Sequence, residues 1–353
     1  MYTTKEKGHS RQNSMTPLLV KRPLRFLKTP AIIVITLFMF LLGLNLYQLS
    51  PSFGNIIGDA SVSIYPTGDI NDRPLVLYAY KETENARKNA LFFITHGLHS
   101  AADFIFILNG PTNLTDSIPS SASNIRVIQR EDKCFDMGAY GEVLNANDQR
   151  LVKRYNKFIL LNASVRGPFM PTWSRECWSD AYLARITDTN KLVGMTYNCK
   201  PRRQEVHPHI QSMILATDRT GISLLLPILS ECFTSHMRAI YAEGNSTRAM
   251  WNAGFTATAL MTSFSSKENY AHECNHTDVL GGGAYYGMAV HPYETIFMKA
   301  NRNYGQRVLD RFTEWTDEAG YSSYEVCGRG RNEIPALGGW GRWKEAAVAK
   351  IRG

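Results

Sequence analysis

The sequence predicts an α/β domain with a mainly parallel sheet flanked by helices, preceded by one N-terminal transmembrane helix. Three observations carry this expectation: short, wholly apolar runs, helix-like segments between them, and one long uncharged apolar stretch near the start. The 353 residues can bury a large core. Short buried runs alternating with helices are the pattern of a parallel sheet, whose strands are covered on both faces.

The uncharged stretch, residues 30 to 48, contains AIIVITLFMFLLGL and has no charge between Thr29 and Gln48, which is near the short end of what spans a bilayer. A basic lead-in precedes it, so it reads as an uncleaved signal anchor rather than a signal peptide. The tail, residues 1 to 29, carries Lys5, Lys7, Arg11, Lys21, Arg22, Arg25 and Lys28 against Glu6, a net +6, and the first charge beyond the span is Asp59. The positive-inside rule then puts the tail in the cytosol and the rest in the lumen, a type II topology. Of the formal +8, only +2 remains for the folded part, so no nucleic-acid footprint survives. A short span suits the thinner early secretory membranes, and the expected location is the Golgi or another secretory-pathway membrane.

Two features agree with a luminal domain. All six cysteines (Cys134, Cys177, Cys199, Cys232, Cys274 and Cys327) follow the span, allowing up to three disulfides whose pairing the sequence leaves open. Sequons start at Asn113, Asn245 and Asn275, each in a polar stretch that reads as a surface loop. Residues 49 to 72, rich in Ser, Gly, Pro and Asp, read as a stem.

The domain opens with the strand PLVLYAY. Apolar runs follow at ALFFITHG (90 to 97) and DFIFILNG (103 to 110), an alternating strand at NIRVIQRE (124 to 131), a buried one at KFILLN (157 to 162), and another at KLVGMTYN (191 to 198). Helical character lies in 138 to 154 and 178 to 186, and HIQSMILATDRTGISLLLPILSECF (209 to 233) reads as a buried helix. Residues 281 to 302 pass from a glycine run into a strand and a helix. A boundary near residue 200 separates two expected halves, 73–200 and 201–353.

Ligands of open α/β sheets bind outside the carboxyl ends of the strands, which directs attention to polar residues there. The abrupt turn Asn162-Ala163-Ser164 after the buried run to Leu161 is one such place; a plain turn explains it equally well. Arg130, Glu131, Asp132 and Asp136 follow the third strand, and carboxylates there suit sugar hydroxyls or a polar base, although Asp136 also reads as a helix cap. His96 and Asn109 end the two earlier runs. Lys299 and Arg302 fall at a spacing that places them on one helix face, able to neutralise a diphosphate. His272-x-Cys274-x-His276 resembles metal-ligand spacing but lacks a second ligand pair, and Cys274 is wanted for a disulfide. No GxSxG motif and no dinucleotide fingerprint is present.

The order RVIQREDKCFDMGAYGEVL, YNKFILLNASVRGPFMP, HIQSMIL resembles the rhamnan synthesis protein F type of glycosyltransferase over roughly residues 88 to 235. Such proteins are expected to adopt a GT-A-type fold, a nucleotide-sugar-binding half (73–200) joined to an acceptor-binding half (201–353). Tail, single span, stem and luminal domain are also how Golgi glycosyltransferases are arranged, so the chain is similar to a fungal-type membrane enzyme of this kind.

The resemblance implies that the turn after Leu161 faces the sugar diphosphate of a nucleotide-sugar donor, the partner acceptor being a glycan or glycoconjugate. Many such enzymes carry an Asp-x-Asp pair there for a divalent metal; this sequence has Asn162-Ala163-Ser164, and neutral Asn and Ser are poor ligands for Mg²⁺ or Mn²⁺. Either Asp136 and His291 hold the ion, or Arg166, Lys299 and Arg302 neutralise the diphosphate and no cofactor is required; the second is preferred. The implied donor-binding residues are His96, Asn109, Arg130, Asp136, Asn162, Ser164, Arg166, Lys299 and Arg302. For the carboxylate that deprotonates the acceptor, Glu294 is preferred and Asp218 comes next among Asp180, Glu205, Asp218, Asp278 and Glu294. The loss of Asp-x-Asp keeps open an inactive binding or scaffold protein on the same fold.

Overall fold

A computed structural model describes residues 72–201, 205–302 and 305–327. The basic tail, the expected span at 30–48 and all but the last residue of the stem lie outside the described residues; among these, no helix is long and apolar enough to cross a membrane.

Strands β1 (Leu75–Lys81), β2 (Asp103–Asn109), β3 (Ile125–Arg130) and β4 (Lys157–Asn162) are joined by helix α1 (Glu84–His96), by a short loop with one 3-10 turn, and by helix α2 (Asp136–Arg154). After the two-residue strand β5 (Val165–Arg166) and helix α3 (Trp178–Leu183) come β6 (Asn190–Gly194), β7 (Tyr197–Asn198), β8 (His209–Ile210) and β9 (Ile214–Asp218). Helices α4 (Arg219–Leu229) and α5 (His236–Asn252) lead to β10 (Thr256–Ala259); α6 (Tyr270–Glu273), α7 (Pro292–Thr295), β11 (Met298–Lys299), α8 (Gln306–Ala319) and α9 (Ser323–Cys327) follow.

Seven strands form one sheet in the order β10-β6-β9-β4-β1-β2-β3. Only β9 runs against its neighbours β4 and β6; the other pairs are parallel. The chain steps outward from β1 to β2 to β3 and then returns to the other side of β1 as β4. This reversal makes the carboxyl ends of β1 and β4 the switch point, where the diverging loops leave a crevice. The boundary expected near residue 200 does not divide the sheet, because β9 and β10 come from the later half.

The apolar runs at β1, β2 and β4 are buried strands, as their composition predicts. The run at 90 to 97 is instead the second half of α1. Thr83 caps that helix, its side chain accepting from the Ala86 N–H at 3.0 Å, and an eight-residue apolar run does not by itself separate strand from buried helix. The segment 209 to 233 is likewise not one helix. Residues 209–210 and 214–218 are strands, and the helix begins only after Asp218, whose carboxylate accepts from the Gly221 N–H at 2.9 Å. Helix α2 is interrupted at residues 146–149, where Asn147, Asp148 and Gln149 take positive φ.

The cysteines pair as Cys134–Cys232, Cys177–Cys327 and Cys199–Cys274. The first joins the start of α2 to the end of α4, beside a backbone bond from Phe135 N–H to Phe233 O of 3.1 Å. Farther along, Gly141 lets α2 lie on the backbone of α4: a Cβ there would stand 1.8 Å from the Leu229 carbonyl oxygen. Backbone cannot yield as a side-chain tip does, so Gly141→Ala is expected to destabilise the domain by about 2 kcal/mol or more. Thermal melting of the variant against wild type checks this, with an unchanged Tm counting against such close packing.

Candidate functional site

Strand β4 ends because its last residues turn their hydrogen bonds inward. Asn162 Oδ1 accepts from the Ser164 N–H at 3.1 Å and from the Ser164 hydroxyl, closing an Asx turn. The Asn162 amide donates to Asp136 Oδ2, while Asp136 Oδ1 accepts from the Met137 N–H at 3.0 Å. Asp136 is brought here as the first residue of α2, the end that the Cys134–Cys232 bridge fixes.

The chain then returns from far away. Strand β11 pairs antiparallel with β5, Lys299 opposite Val165, and the Ala300 N–H donates to the Ser164 carbonyl at 2.9 Å. This register lays Lys299 Nζ 2.8 Å from Ser164 Oγ. Lys299, Ser164, Asn162 and Asp136 thus form one hydrogen-bonded chain at the switch point. Lys299 and Arg302 do not share a helix face as the spacing suggested, since Lys299 is in a strand and Arg302 in the bend after it.

Burial pushes the Lys299 amine down to about 8, against the pull of the Glu243, Asp136 and Asp278 carboxylates. Burial also raises Asp136, partly offset by its bonds from Asn162 and Met137. Glu243, on α5, is the opposite case: burial disfavours its charge, but His209 and the Ser212 N–H hold it at about 2. His209 Nε2 lies 3.4 Å from Glu243 Oε2, and Nδ1 is 2.6 Å from the His207 carbonyl. Burial works against the imidazolium, yet Glu243 outweighs it, so His209 is raised. Gln211, two residues on, donates to Asp278 Oδ1 at 3.1 Å, and Arg302 pairs with Asp278 Oδ2 at 3.0 Å.

A second, open cleft of about 620 Å³ lies past the end of β10, lined by Thr262, Ser263, Tyr285, His291 and Glu294 among others. Glu294 Oε2 accepts from the Thr262 N–H at 2.7 Å and the Tyr285 hydroxyl at 2.8 Å. No bond to Oε1 is found among the described residues.

The expected site residues therefore separate. Asn162, Ser164, Asp136 and Lys299 are hydrogen-bonded together at the carboxyl end of β4 with Arg302 beside them, and Glu294 and His291 line the second cleft. Asn109 and Arg130 close the carboxyl ends of β2 and β3: the Asn109 amide donates to the Tyr80 carbonyl at 2.9 Å, and Arg130 spans Asn109 and Glu142. Arg166 lies on the other face of β5 from Lys299, because neighbouring strand residues point oppositely. It donates to Asn89 at 2.9 Å and Thr313 at 3.1 Å, in a separate cavity bordered by Asp310 and Asp317.

Two residues sit at the wrong edge of the sheet. His96 ends α1, which runs back to the amino edge, and is held by the Tyr321 carbonyl at 2.7 Å and Asp317 at 2.6 Å. Asp218 ends the reversed strand β9, opposite Lys157 at the start of β4; it caps α4 and pairs with Lys191 at 2.6 Å. Both have structural duties there.

Asp136 and His291 are not gathered as metal ligands. The two three-residue clusters of ligand type among the described residues contain neither, and both are built on disulfide sulfurs that have no thiolate to offer. The set of groups at β4 does not fit a divalent ion, since an ammonium already stands against Ser164. Of the sequon asparagines, Asn113, Asn245 and Asn275 are all exposed. Asn245 is on helix α5 rather than in a loop, and Thr247 of that sequon is buried, its hydroxyl accepting from the Ile210 N–H at 2.9 Å.

Sequence reasoning missed Glu243 and the roles of His209 and Gln211. The string HIQS was visible, but nothing in the helix around Glu243 marks it as different from a solvated face.

The His209–Glu243 pair makes stability depend on pH. A raised His209 stabilises below its unfolded value of 6.5 and loses this as pH rises through its folded value; a lowered Glu243 stabilises above 4.5 and loses this as pH falls towards 2. The Tm advantage of wild type over His209→Gln is expected to be largest between pH 4.5 and 6.5 and to shrink as pH rises above that range, which melting curves over a pH series check. No protein-family model matches this chain, and no curated protein sequence matches it.

Proposed function

We propose that the chain is a glycosyltransferase with a GT-A-like fold, moving a sugar from a nucleotide-sugar donor to a glycan or glycoconjugate acceptor. The observation that carries this reading is the hydrogen-bonded chain Lys299–Ser164–Asn162–Asp136 at the switch point of the sheet. The motif resemblance around Asp136 and Asn162 supports it. In this reading the protein is a type II membrane protein, anchored by residues 30–48 in a Golgi or other secretory membrane, with the catalytic domain in the lumen.

The donor diphosphate lies against Lys299 and the turn after Asn162, with Arg302 alongside. The ammonium supplies fixed positive charge where negative charge grows as the bond from the anomeric carbon to the diphosphate breaks. The acceptor enters from the Glu294 cleft. As the acceptor oxygen bonds to the anomeric carbon its proton passes to a carboxylate, for which Glu294 in the second cleft is the candidate, and the nucleoside diphosphate leaves on Lys299. The neutral turn also favours a second reading, a luminal protein that binds the nucleotide sugar without turning it over.

The test is donor binding and hydrolysis by the full chain in detergent micelles, across UDP- and GDP-sugars, with chelator or added Mn²⁺. Turnover of one donor that survives chelator is expected. Loss of turnover with chelator would overturn the metal-free reading; binding without turnover would select the second reading; no binding would remove both. Lys299→Ala should weaken donor binding by about 10- to 100-fold, the worth of a charged hydrogen bond. Wild-type affinity should fall as pH rises through about 8, where the amine loses its proton, and Lys299→Arg should remove that fall.

A further inference from the structure

At the mouth of the Glu294 cleft two groups of aromatic rings extend onto the surface. Tyr285 and Tyr286 stand 5.5 Å apart by ring centroids on one side. On the other, His291 and Tyr293 are 5.3 Å apart, Tyr293 meets Phe312 of α8 at 4.9 Å, and Phe312 meets Trp315 at 5.5 Å. Three of these rings are open to solvent: Tyr286 at 60%, Tyr293 at 42% and Trp315 at 52% exposure. A hydrophobic core has no use for such exposure.

The chemistry of the track selects its occupant. Rings that are apolar on their faces and polar at their tips suit a ligand with apolar ring faces and hydroxyl edges. The Tyr293 hydroxyl has no hydrogen bond among the described residues. The cleft sets the Glu294 carboxylate, the Tyr285 hydroxyl and Ser263 among apolar surface that includes Met288 and the ring faces, the mixture that a sugar with apolar ring faces and hydroxyl edges requires. The length of the run, from Tyr286 across the cleft mouth to Trp315, is more than one ring's worth of contact.

We infer that this aromatic track is a binding site for a carbohydrate chain of several units, whose end enters the Glu294 cleft. The inference rests on the transferase reading for its meaning, the chain being the acceptor, but not for its test. Rings along the track hold the inner units, and the cleft receives the terminal one. Preference for oligosaccharide over monosaccharide is thereby built into the surface.

The experiment is direct binding without donor. The full chain in detergent is titrated calorimetrically with gluco-, galacto- and manno-oligosaccharides of one to four units. Affinity for at least one series is expected to rise with length. Tyr293→Ala and Trp315→Ala should each reduce the affinity for the longest member by roughly three- to tenfold, the scale of one aromatic contact. These exposed side chains can be truncated with little loss of core, and melting curves confirm folding; Trp315→Phe, which keeps a ring, should restore much of the binding. Binding by no series, binding independent of length, or binding indifferent to the variants would each overturn the inference. UDP- and GDP-sugar binding is measured in parallel, so that failure of the donor site is read separately from failure of the track.

Discussion

The site depends on one short pairing, the two-residue antiparallel contact between Val165–Arg166 and Met298–Lys299. So small a ribbon is not stable alone. It is held from outside by α1, where the Asn85 amide donates to the Ala300 carbonyl at 2.8 Å and the Asn89 amide to the Ala163 carbonyl at 2.9 Å. From below, Phe169 N–H bonds to the Ile296 carbonyl at 2.7 Å and the Tyr182 hydroxyl to the Thr295 carbonyl at 2.6 Å. These four bonds fix the register, and the register decides which side chain meets Ser164. A slip of one residue would put Met298 there and turn Lys299 to the other face.

The consequence is electrostatic. A half-buried ammonium near Glu243, Asp136 and Asp278 has its pKa lowered to about 8, with burial the largest influence. In the proposed reading an incoming diphosphate would shift that balance towards the charged form, so that its binding above pH 8 would take up a proton. Glu243 differs from its neighbours because His209 and the Ser212 N–H secure its charge. Such a site is arranged before any ligand arrives, since the hydrogen bonds that orient Lys299 and Asp136 are internal to the fold.

Much of the scaffold was legible in the sequence because parallel strands buried on both faces are written as unbroken apolar runs, and LVLYAY, FIFIL and FILL add the β-branched and aromatic residues that favour a strand. What failed has physical causes. The run at 90 to 97 carries no sign of its period, and only Thr83 upstream marks it as helix. Asp218 lies in a segment, 209 to 233, that reads as one helix, whereas 214–218 is a strand running against its neighbours, a pairing that local composition does not show. Arg166 was misjudged by the parity of a strand that is only two residues long. Asn162, Ser164 and Lys299 were each singled out, but their meeting depends on a contact across 135 positions that no local pattern announces. Glu243 left no trace, because burial and partners, rather than its neighbours in sequence, make it unusual.

The segment from Asp278 to Arg302 serves both clefts: its ends flank Lys299 and its middle carries Tyr285, His291 and Glu294. The ion pair between Arg302 and Asp278 at 3.0 Å ties those ends together, with Gln211 holding Asp278 from the other side. This distinguishes the two cations beside the crevice. An anion that draws Arg302 away must break the pair and reopen a loop whose closure costs chain entropy. Lys299 has no ion pair among the described residues and gives up only a hydrogen bond to a hydroxyl. In the proposed reading the affinity for a diphosphate therefore resides mainly in Lys299, while the Arg302–Asp278 pair ties together the ends of the segment that lines the second cleft.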